Sequence, residues 1–265
     1  MKKIGIVGLG LIGGSILKKL YKNSKYEIFC CSNSSYIEAL EYTKNSSDKI
    51  EDLKNCDIIF VCSKISKTLE ILEKLNSILD ENTLVVDVSS IKKDLLNKKF
   101  NFNFILSHPM AGSEKSGFSA SYEDLFIGAK WLIGQKNKLL EEIINDLGAT
   151  AYLIDMNEHD ELCCEISHFP TILSFLLFDC AQNKAKEIAS SGFRDATRLA
   201  QSEIDMTLNM FNLNQENIFK MLDNLIEKFN SLKNLSDDEK IKVFSKICQK
   251  RKEMYDINGK NTFKI

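Results

Sequence analysis

Gly8-Leu9-Gly10-Leu11-Ile12-Gly13 is the stretch that decides the fold of this 265-residue chain. An apolar run, residues 4–7, precedes it, and a helical pattern begins at Leu11. A G-x-G-x-x-G in this context predicts a dinucleotide site: the first glycine allows a tight turn, the second lets a pyrophosphate approach, and the third lets helix and strand pack closely. We therefore expect Gly8, Gly10, Leu11, Ile12 and Gly13 to hold a cofactor. A purely structural turn is the alternative.

Outward from this motif, the first half of the chain alternates short apolar runs with helical patterns. The predicted strands are residues 4–7, 26–31, 57–62, 84–88, 102–106, 131–133 and 151–154, and the predicted helices between them are 11–21, 36–43 and 69–79. This alternation predicts βαβ units, with a parallel sheet covered by helices on both faces.

From about residue 156 the chain shows only helical periodicity, at residues 158–167, 172–189, 196–210, 214–233 and 237–255. Ser236 and Glu239 predict a capping box at the start of the last helix. The predicted fold class is α/β: an N-terminal doubly wound, Rossmann-type domain, residues 1–155, followed by an all-helical C-terminal domain, residues 156–265, for substrate binding and dimerisation.

The composition argues against several classes of function. The net charge of −2 disfavours nucleic-acid binding. We find no apolar run of the roughly 18 residues that a membrane helix needs, and no signal peptide. The eight cysteines include no Cys-x-x-Cys pair, so we predict no metal site, and their frequency in apolar runs suits a reducing cytoplasm.

The end of the second predicted strand bears on the choice of cofactor. An acidic residue there holds the ribose of NAD in many dinucleotide-binding folds. This chain has Cys30-Cys31-Ser32-Asn33-Ser34 instead, with Ser32 at the equivalent position and no arginine to hold the 2′-phosphate of NADP. NAD and NADP therefore remain equal alternatives. Ser63, just past the third strand, either lines the cofactor crevice or serves a plain turn.

His108, one of only three histidines, follows the fifth predicted strand in the run Ser-His-Pro-Met-Ala-Gly-Ser-Glu-Lys-Ser-Gly, residues 107–117. A histidine at the exit of a strand is a frequent catalytic acid or base. Ser90 follows the preceding strand, so both side chains should face the crevice at the carboxyl ends of the strands, where Ser90 would orient the imidazole. A turn cap for His108 and a helix N-cap for Ser90 are the alternatives.

The helical half contributes two further candidates. His168 lies in Ser167-His168-Phe169-Pro170, near a helix boundary, and is either a pocket residue or a satisfied core residue. Arg198 lies in Gly192-Phe-Arg-Asp-Ala-Thr-Arg-Leu-Ala200. An arginine kept in a lysine-rich chain indicates planar, bidentate binding of a carboxylate, although a solvated or ion-paired arginine is the common case in helices.

Together these motifs resemble the prephenate/arogenate dehydrogenases of tyrosine biosynthesis. The resemblance rests on residues 8–15, 87–92, 108–117, 167–170 and 192–200, in family order over about three quarters of the chain. It implies oxidative decarboxylation of a cyclohexadienol dicarboxylate: hydride passes from the hydroxyl-bearing carbon to NAD or NADP, carbon dioxide leaves, and the ring becomes aromatic. It also implies a cytoplasmic enzyme that dimerises through its helical domain.

The resemblance assigns roles to individual residues. His108 would take the proton of the ring hydroxyl, Ser90 would orient His108 and contact the substrate, and Arg198 would bind a substrate carboxylate. Ser113 and His168 would line the same pocket. Thr171 stands where the family often has a second histidine, which leaves prephenate, our first expectation, and arogenate as alternatives.

Two other classes share part of this pattern. A β-hydroxyacid dehydrogenase-like reductase has the same N-terminal motif, but it is expected to use a helical lysine after the domain boundary, and no lysine lies between Lys138 and Lys184. A non-catalytic dinucleotide sensor would not need His108, Ser90 and Arg198 together.

Overall fold

An eight-stranded sheet forms the centre of the N-terminal half in this computed structural model, which describes residues 1–113 and 115–255. The strands are β1 Lys2–Val7, β2 Tyr26–Cys31, β3 Ser46–Ser47, β4 Ile58–Val61, β5 Leu84–Asp87, β6 Asn103–Pro109, β7 Lys130–Ile133 and β8 Thr150–Leu153. Their order is β3-β2-β1-β4-β5-β6-β7-β8. The order reverses between β1 and β4, and in such sheets ligands bind at that switch point.

The sheet is mostly parallel, as the alternation predicts, with one antiparallel pair. β6 pairs in parallel with β5 and antiparallel with β7, where His108 lies opposite Leu132. This pairing extends β6 to Pro109. The sequence prediction ended this strand at residue 106 and placed His108 in a loop, which is wrong because residues 107–109 pair with β7.

Strand periodicity divides the core between the two faces of the sheet. Ile58 and Phe60 pack into one hydrophobic cluster, and their neighbours Ile59 and Val61 pack into another. Helices α1, Leu11–Leu20, and α4, Lys138–Asp146, cover the first face, and α3, Ile65–Asn76, covers the second. The structure therefore confirms helices on both faces of the sheet.

Helix α4 is missing from the sequence prediction. Its N-cap is Asn137, whose side chain accepts a hydrogen bond from the Leu140 amide at 3.1 Å. Its buried residues Leu140, Ile143 and Ile144 belong to the hydrophobic cluster on the first face of the sheet. Helix α2, Tyr36–Ala39, is shorter than the predicted 36–43, and α3 begins four residues earlier than predicted.

Over the described residues from 156 onward, the chain forms helices and no strand of its own, as predicted, but the helices have different bounds. They are α5 His159–Cys163, α6 Phe169–Cys180, α7 Asn183–Lys186, α8 Ser191–Ala196, α9 Ile204–Leu213, α10 Gln215–Lys233 and α11 Asp237–Met254. A π-helical segment, Cys164–His168, joins α5 to α6 just before Pro170. Because Pro170 lacks an N–H, the wider turn lets the helical run continue past the position where a helix boundary was predicted.

The helical run His159–Cys180 qualifies, by length and composition, as a candidate membrane span among the described residues. The sequence prediction found no such segment. The run carries Asp160 and two histidines, all of them hydrogen-bonded inside the protein. One helix of this kind is weak evidence for a membrane, because core helices of soluble proteins have the same composition.

The chain divides into two compact units, Met1–Ile218 and Phe219–Ile265. The predicted boundary at residue 155 falls within the first unit, between β8 and α5, and the division into residues 1–155 and 156–265 stays a prediction. In the second unit, the predicted capping box is confirmed: Ser236 and Glu239 exchange hydrogen bonds at the start of α11.

Candidate functional site

The glycine-rich turn between β1 and α1 leaves space for a ligand. Gly8 has a φ of +89°, and a Cβ there would lie 2.8 Å from the Cys62 carbonyl oxygen. A Cβ on Gly13 would lie 2.0 Å from the Gly8 oxygen. By contrast, a Cβ on Gly10 would meet no atom of the described residues within 4 Å. Gly8 and Gly13 are thus required by packing, whereas Gly10 borders open space.

This open space lies at the N-terminus of α1. Gly10 is the N-cap residue and, within the part of the chain that the structure describes, no side chain caps the helix. The amide groups of the first turn and the helix dipole are therefore available to an anion. The residues fit a dinucleotide pyrophosphate, the group that the sequence motif predicts at this turn.

Two serines predicted to contact the cofactor end neighbouring strands. Ser32 follows β2 and is buried, with its Oγ accepting a hydrogen bond from the Ser35 amide at 3.3 Å. Ser63 follows β4, and its hydroxyl lies 3.2 Å from that of Thr68. Both serines thus hold local turns and lie at the carboxyl edge of the sheet, where the two strands flank β1. Their contact with a cofactor stays a prediction.

A buried ion pair fixes the next part of this edge. Asp87 and Lys92 are both completely buried and form a salt bridge. The Lys92 ammonium also donates to the carbonyl oxygens of Ser89 and Ser107, each at 2.6 Å. Since Ser107 directly precedes His108, this buried lysine ties the loop after β5 to the strand that carries His108.

His108 belongs to a hydrogen-bonded row of three side chains. Its Nδ1 lies 3.0 Å from Nε2 of His159, and Nδ1 of His159 lies 2.7 Å from the Asp160 carboxylate. His159 is completely buried, whereas His108 is partly exposed. The amides of Lys92 and Lys93 donate to the two oxygens of Asp160, each at 2.8 Å. The row is therefore fixed at its carboxylate end.

These contacts determine which ring nitrogens carry protons. Burial raises the pKa of Asp160, but hydrogen bonds from His159 and the Lys92 amide outweigh it and hold the pKa below its usual value. The ionised carboxylate requires Nδ1 of His159 to be the donor, which leaves His159 Nε2 as an acceptor. His108 then donates from Nδ1, and its Nε2 has no hydrogen-bond partner among the described residues.

The surroundings keep His108 uncharged. Burial, followed by the positive charge of Lys92, lowers its pKa well below the usual value, and protonation of the nearby His159 or His168 ring would oppose its charging further. His108 is therefore a neutral imidazole at pH 7, with a defined tautomer and an unprotonated Nε2. A general base needs these properties.

Ser90 does not orient His108 in this structure. Its side chain is partly exposed and, among the described residues, makes no hydrogen bond with the imidazole. The side chain that hydrogen-bonds the His108 ring in this structure is that of His159. The predicted contact of Ser90 with substrate stays a prediction.

A second histidine presents an unpaired donor. Asn214 donates from Nδ2 to the Asp160 carbonyl oxygen and to His168 Nδ1, each at 2.8 Å. Burial lowers the pKa of His168 to about 4, so the ring is neutral and its proton lies on Nε2. That atom is buried without a hydrogen-bond partner among the described residues. Such a group is costly, and a polar ligand atom would satisfy it.

The remaining predicted substrate residues lie on separate segments. Thr171, on α6, is buried and donates to the Ser167 carbonyl oxygen at 2.9 Å. Arg198 is exposed and begins a 3-10 turn that packs against α6. Ser113 accepts a hydrogen bond from the Lys115 amide at 3.2 Å. Among the described residues, no hydrogen bond or ion pair joins any of these three side chains to His108, and their roles stay predictions.

Sequence reasoning missed His159, Asp160 and Cys163. The thiol of Cys163 lies 3.4 Å from His159 Nε2 and 3.7 Å from His108 Nδ1, and burial raises its pKa to about 12. A signal was present, since His159 and Cys163 are four residues apart and therefore share one face of a helix. Their approach to His108, 51 positions away from His159, depends on the tertiary fold.

Known proteins share this arrangement of domains. The family model "Prephenate dehydrogenase, nucleotide-binding domain" matches residues 31–155, and "Prephenate dehydrogenase, dimerization domain" matches residues 155–250. A prephenate dehydrogenase of Lactococcus lactis subsp. cremoris is 34% identical over 242 residues, which cover 84% of this chain and 68% of that relative.

Solved structures agree with these matches. A prephenate dehydrogenase from A. aeolicus, crystallised with hydroxyphenyl propionate and NAD⁺, has a TM-score of 0.82 and 26% identity over 95% of this chain and 97% of its own. Synechocystis arogenate dehydrogenase has a TM-score of 0.77 and 26% identity over 94% and 97% of the two chains. The chain therefore belongs to the prephenate dehydrogenase family.

Proposed function

We propose that this protein is an NAD(P)-dependent prephenate dehydrogenase of tyrosine biosynthesis, which converts prephenate to 4-hydroxyphenylpyruvate and carbon dioxide. The observation that carries the proposal is the neutral, hydrogen-bonded His108 at the carboxyl edge of a dinucleotide-binding sheet. A base at this position can remove the proton of the substrate hydroxyl while hydride leaves the carbon that bears this hydroxyl.

The nicotinamide cofactor, when bound, accepts the hydride. Gly8, Gly10 and Gly13 shape the turn that receives its pyrophosphate, and the free amides at the start of α1 hold the negative charge. Ser32 takes the ribose position. Because Ser32 carries no charge to repel a 2′-phosphate, we propose that the site accepts NAD and NADP alike.

His108 removes the proton from the ring hydroxyl through Nε2. The imidazolium that forms is stabilised by the His159 ring, which in turn is held by the Asp160 carboxylate. Loss of carbon dioxide from the opposite ring carbon then supplies the electron pair that makes the ring aromatic. The phenolate oxygen that results takes the proton back from His108, so no separate acid or base is needed.

The two carboxylates of the substrate need partners. We assign one to Arg198, because guanidinium binds carboxylate in a bidentate manner and its segment packs against α6. The buried Nε2–H of His168 suits a substrate oxygen. The proposed pocket is completed by Thr171 on α6, Ser113 after β6 and Ser90 after β5.

Arogenate, which carries an amino group in place of the keto group of prephenate, is the alternative substrate. The name of the Lactococcus lactis relative favours prephenate, whereas the Synechocystis structure is named for arogenate. Position 171 holds Thr171 and not the second histidine that the family often has there. This position therefore does not indicate which of the two substrates the protein uses.

We further propose a cytoplasmic homodimer. The C-terminal half matches a domain described as a dimerization domain. Leu173, Leu176, Leu177 and Phe178 on α6 expose apolar side chains, as subunit interfaces commonly do before assembly.

One assay tests the reaction. Purified protein is incubated with prephenate or arogenate, each with NAD⁺ or NADP⁺, and reduced cofactor, carbon dioxide and the aromatic product are measured. We expect prephenate to give the three products in equal amounts, with either cofactor. Turnover of arogenate alone would replace prephenate as the substrate, and turnover of neither would reject the proposed function.

A further inference from the structure

Three side chains with metal-binding atoms converge beside the proposed base. His108 Nδ1, His159 Nε2 and Cys163 Sγ all lie within 4.8 Å of one another. The separations are 3.0 Å between the two nitrogens, 3.4 Å from the sulfur to His159, and 3.7 Å from the sulfur to His108. The reaction proposed above uses the two histidines but has no role for the thiol.

These distances match the edges of a tetrahedral zinc site. Zinc binds histidine nitrogen at about 2.0–2.1 Å and cysteine sulfur at about 2.3 Å, so tetrahedral angles place two nitrogens about 3.3 Å apart and nitrogen and sulfur about 3.6 Å apart. The three observed separations differ from these by about 0.3 Å or less. Small side-chain movements would complete the geometry.

The surroundings supply two other features of metal sites. His159 donates its other ring N–H to Asp160 at 2.7 Å, and a carboxylate behind a histidine ligand orients the ring and raises its basicity. His108 is partly exposed, which leaves a route of entry and a fourth position for solvent. Three protein ligands and one open position are common at accessible zinc sites.

We propose that His108, His159 and Cys163 bind Zn²⁺ and that the bound cation switches the enzyme off. Two nitrogens and a thiolate select zinc or cobalt over magnesium and calcium, which prefer oxygen ligands. Binding displaces the thiol proton of Cys163 to solvent, and His108 moves its N–H from Nδ1 to Nε2. His108 then has no basic nitrogen for the substrate, a consequence that rests on the proposed function.

Cobalt tests the site without reference to activity. Co²⁺ is added to the metal-free protein, and absorption is recorded in the near-ultraviolet, where a thiolate–cobalt bond gives a charge-transfer band. The variants are Cys163→Ser and, as matched control, Cys164→Ser, which removes the adjacent buried thiol outside the cluster.

We expect the band in the wild type and in Cys164→Ser, its loss in Cys163→Ser, and its displacement by Zn²⁺. We also expect Cys163→Ser to weaken Zn²⁺ binding by at least about 100-fold, since loss of an outer-sphere partner alone costs 10–100-fold. Absence of the band in the wild type, or its persistence in Cys163→Ser, overturns the proposed site.

A second arm separates the site from the proposed function. Zn²⁺ is titrated into the wild type while occupancy and prephenate oxidation are followed together. We expect the rate of prephenate oxidation to fall in proportion to Zn²⁺ occupancy. The rate of each variant is compared with the rate of the same variant without metal. Full occupancy with an unchanged rate would leave the metal site intact and overturn both its inhibitory effect and the role of His108 as the base.

Discussion

At the scale of single residues, the chemistry depends on the protonation of one imidazole. The Asp160 carboxylate makes Nδ1 of His159 a donor, and His159 in turn makes Nδ1 of His108 a donor. Two hydrogen bonds thus transmit the charge of a carboxylate to the tautomer of the reacting ring. The same logic of a carboxylate that fixes a histidine occurs in hydrolytic triads on unrelated folds.

Asp160→Asn tests this transmission. The asparagine amide can accept or donate, so His159 is no longer held with its proton on Nδ1, and His108 loses its basic Nε2 in the altered tautomer. We expect kcat for prephenate to fall by roughly 10²–10⁴-fold, with little change in the dissociation constant of NAD⁺. A kcat within threefold of the wild-type value would contradict the tautomer argument.

His168 predicts a pH dependence of stability. Its pKa is about 4 in the folded protein and about 6.5 when unfolded, so the unfolded chain binds the proton first as the pH falls. The free energy of unfolding should therefore decrease between pH 7 and pH 5, by about 2 kcal/mol from this residue. Urea unfolding of the wild type and of His168→Gln measures the difference. Equal pH dependence in both proteins would exclude His168 as the cause.

The position of Ser32 at the end of β2 predicts how a substitution there changes the preference between NAD and NADP. Ser32→Asp introduces a negative charge at the end of β2, where it favours the ribose hydroxyls of NAD and repels the 2′-phosphate of NADP. We expect kcat/KM for NADP⁺ to fall at least about tenfold, with kcat/KM for NAD⁺ unchanged or improved. Equal loss with both cofactors would show that Ser32 does not lie at the ribose.

The sequence predicted His108 but not its partners. His108 was identifiable because it lies in a distinctive motif near the end of a strand. His159 and Cys163 are ordinary helical residues until the chain folds, and their approach to β6 is a tertiary contact. The absence of a Cys-x-x-Cys pair does not bear on a site with a single thiol.

At the scale of secondary-structure elements, the turn between β1 and α1 separates packing from binding. Gly13 has no room for a side chain, whereas Gly10 does. The two positions therefore offer substitutions of the same size with opposite expected effects.

Gly10→Ala should leave the melting temperature within about 2 °C and weaken NAD⁺ binding by at least about tenfold, because the methyl group occupies the space for the pyrophosphate. Gly13→Ala should lower the melting temperature markedly, because the methyl group meets the Gly8 carbonyl oxygen. Thermal unfolding and cofactor titration of both variants measure this. Normal NAD⁺ affinity in Gly10→Ala would place the cofactor elsewhere.

The periodicity of apolar residues predicted the long strands and helices. It did not predict element ends that depend on strand pairing or on helix capping. The buried strands β1, β2, β4 and β5 are apolar runs that any fold of this class would bury. β3 has only two residues, and the end of β6 depends on its antiparallel partner β7. The predicted helix 172–189 ends instead at Cys180, because Ala181 adopts an extended conformation.

At the scale of the whole molecule, the exposed apolar residues predict self-association. On α6, Leu176 and Leu177 are both exposed, although their helix begins beside the buried His168. A homodimer that covers this face would remove them from water.

Leu176→Lys should weaken the dimer, because a charge cannot be buried at an apolar interface without a partner. Sedimentation velocity at several concentrations measures the mass, with Leu40→Lys, an exposed leucine of the nucleotide-binding half, as control. A monomeric wild type would reject the dimer, and a dimeric Leu176→Lys would place the interface on another surface.

The proposed reaction requires His108 as the base that removes the hydroxyl proton of prephenate. The most direct measurement is kcat for prephenate oxidation with NAD⁺ by His108→Asn, together with the dissociation constant of NAD⁺. We predict that kcat falls by about 10³-fold or more while the dissociation constant changes less than about twofold. A kcat within tenfold of the wild-type value, with cofactor binding intact, would show that His108 is not this base.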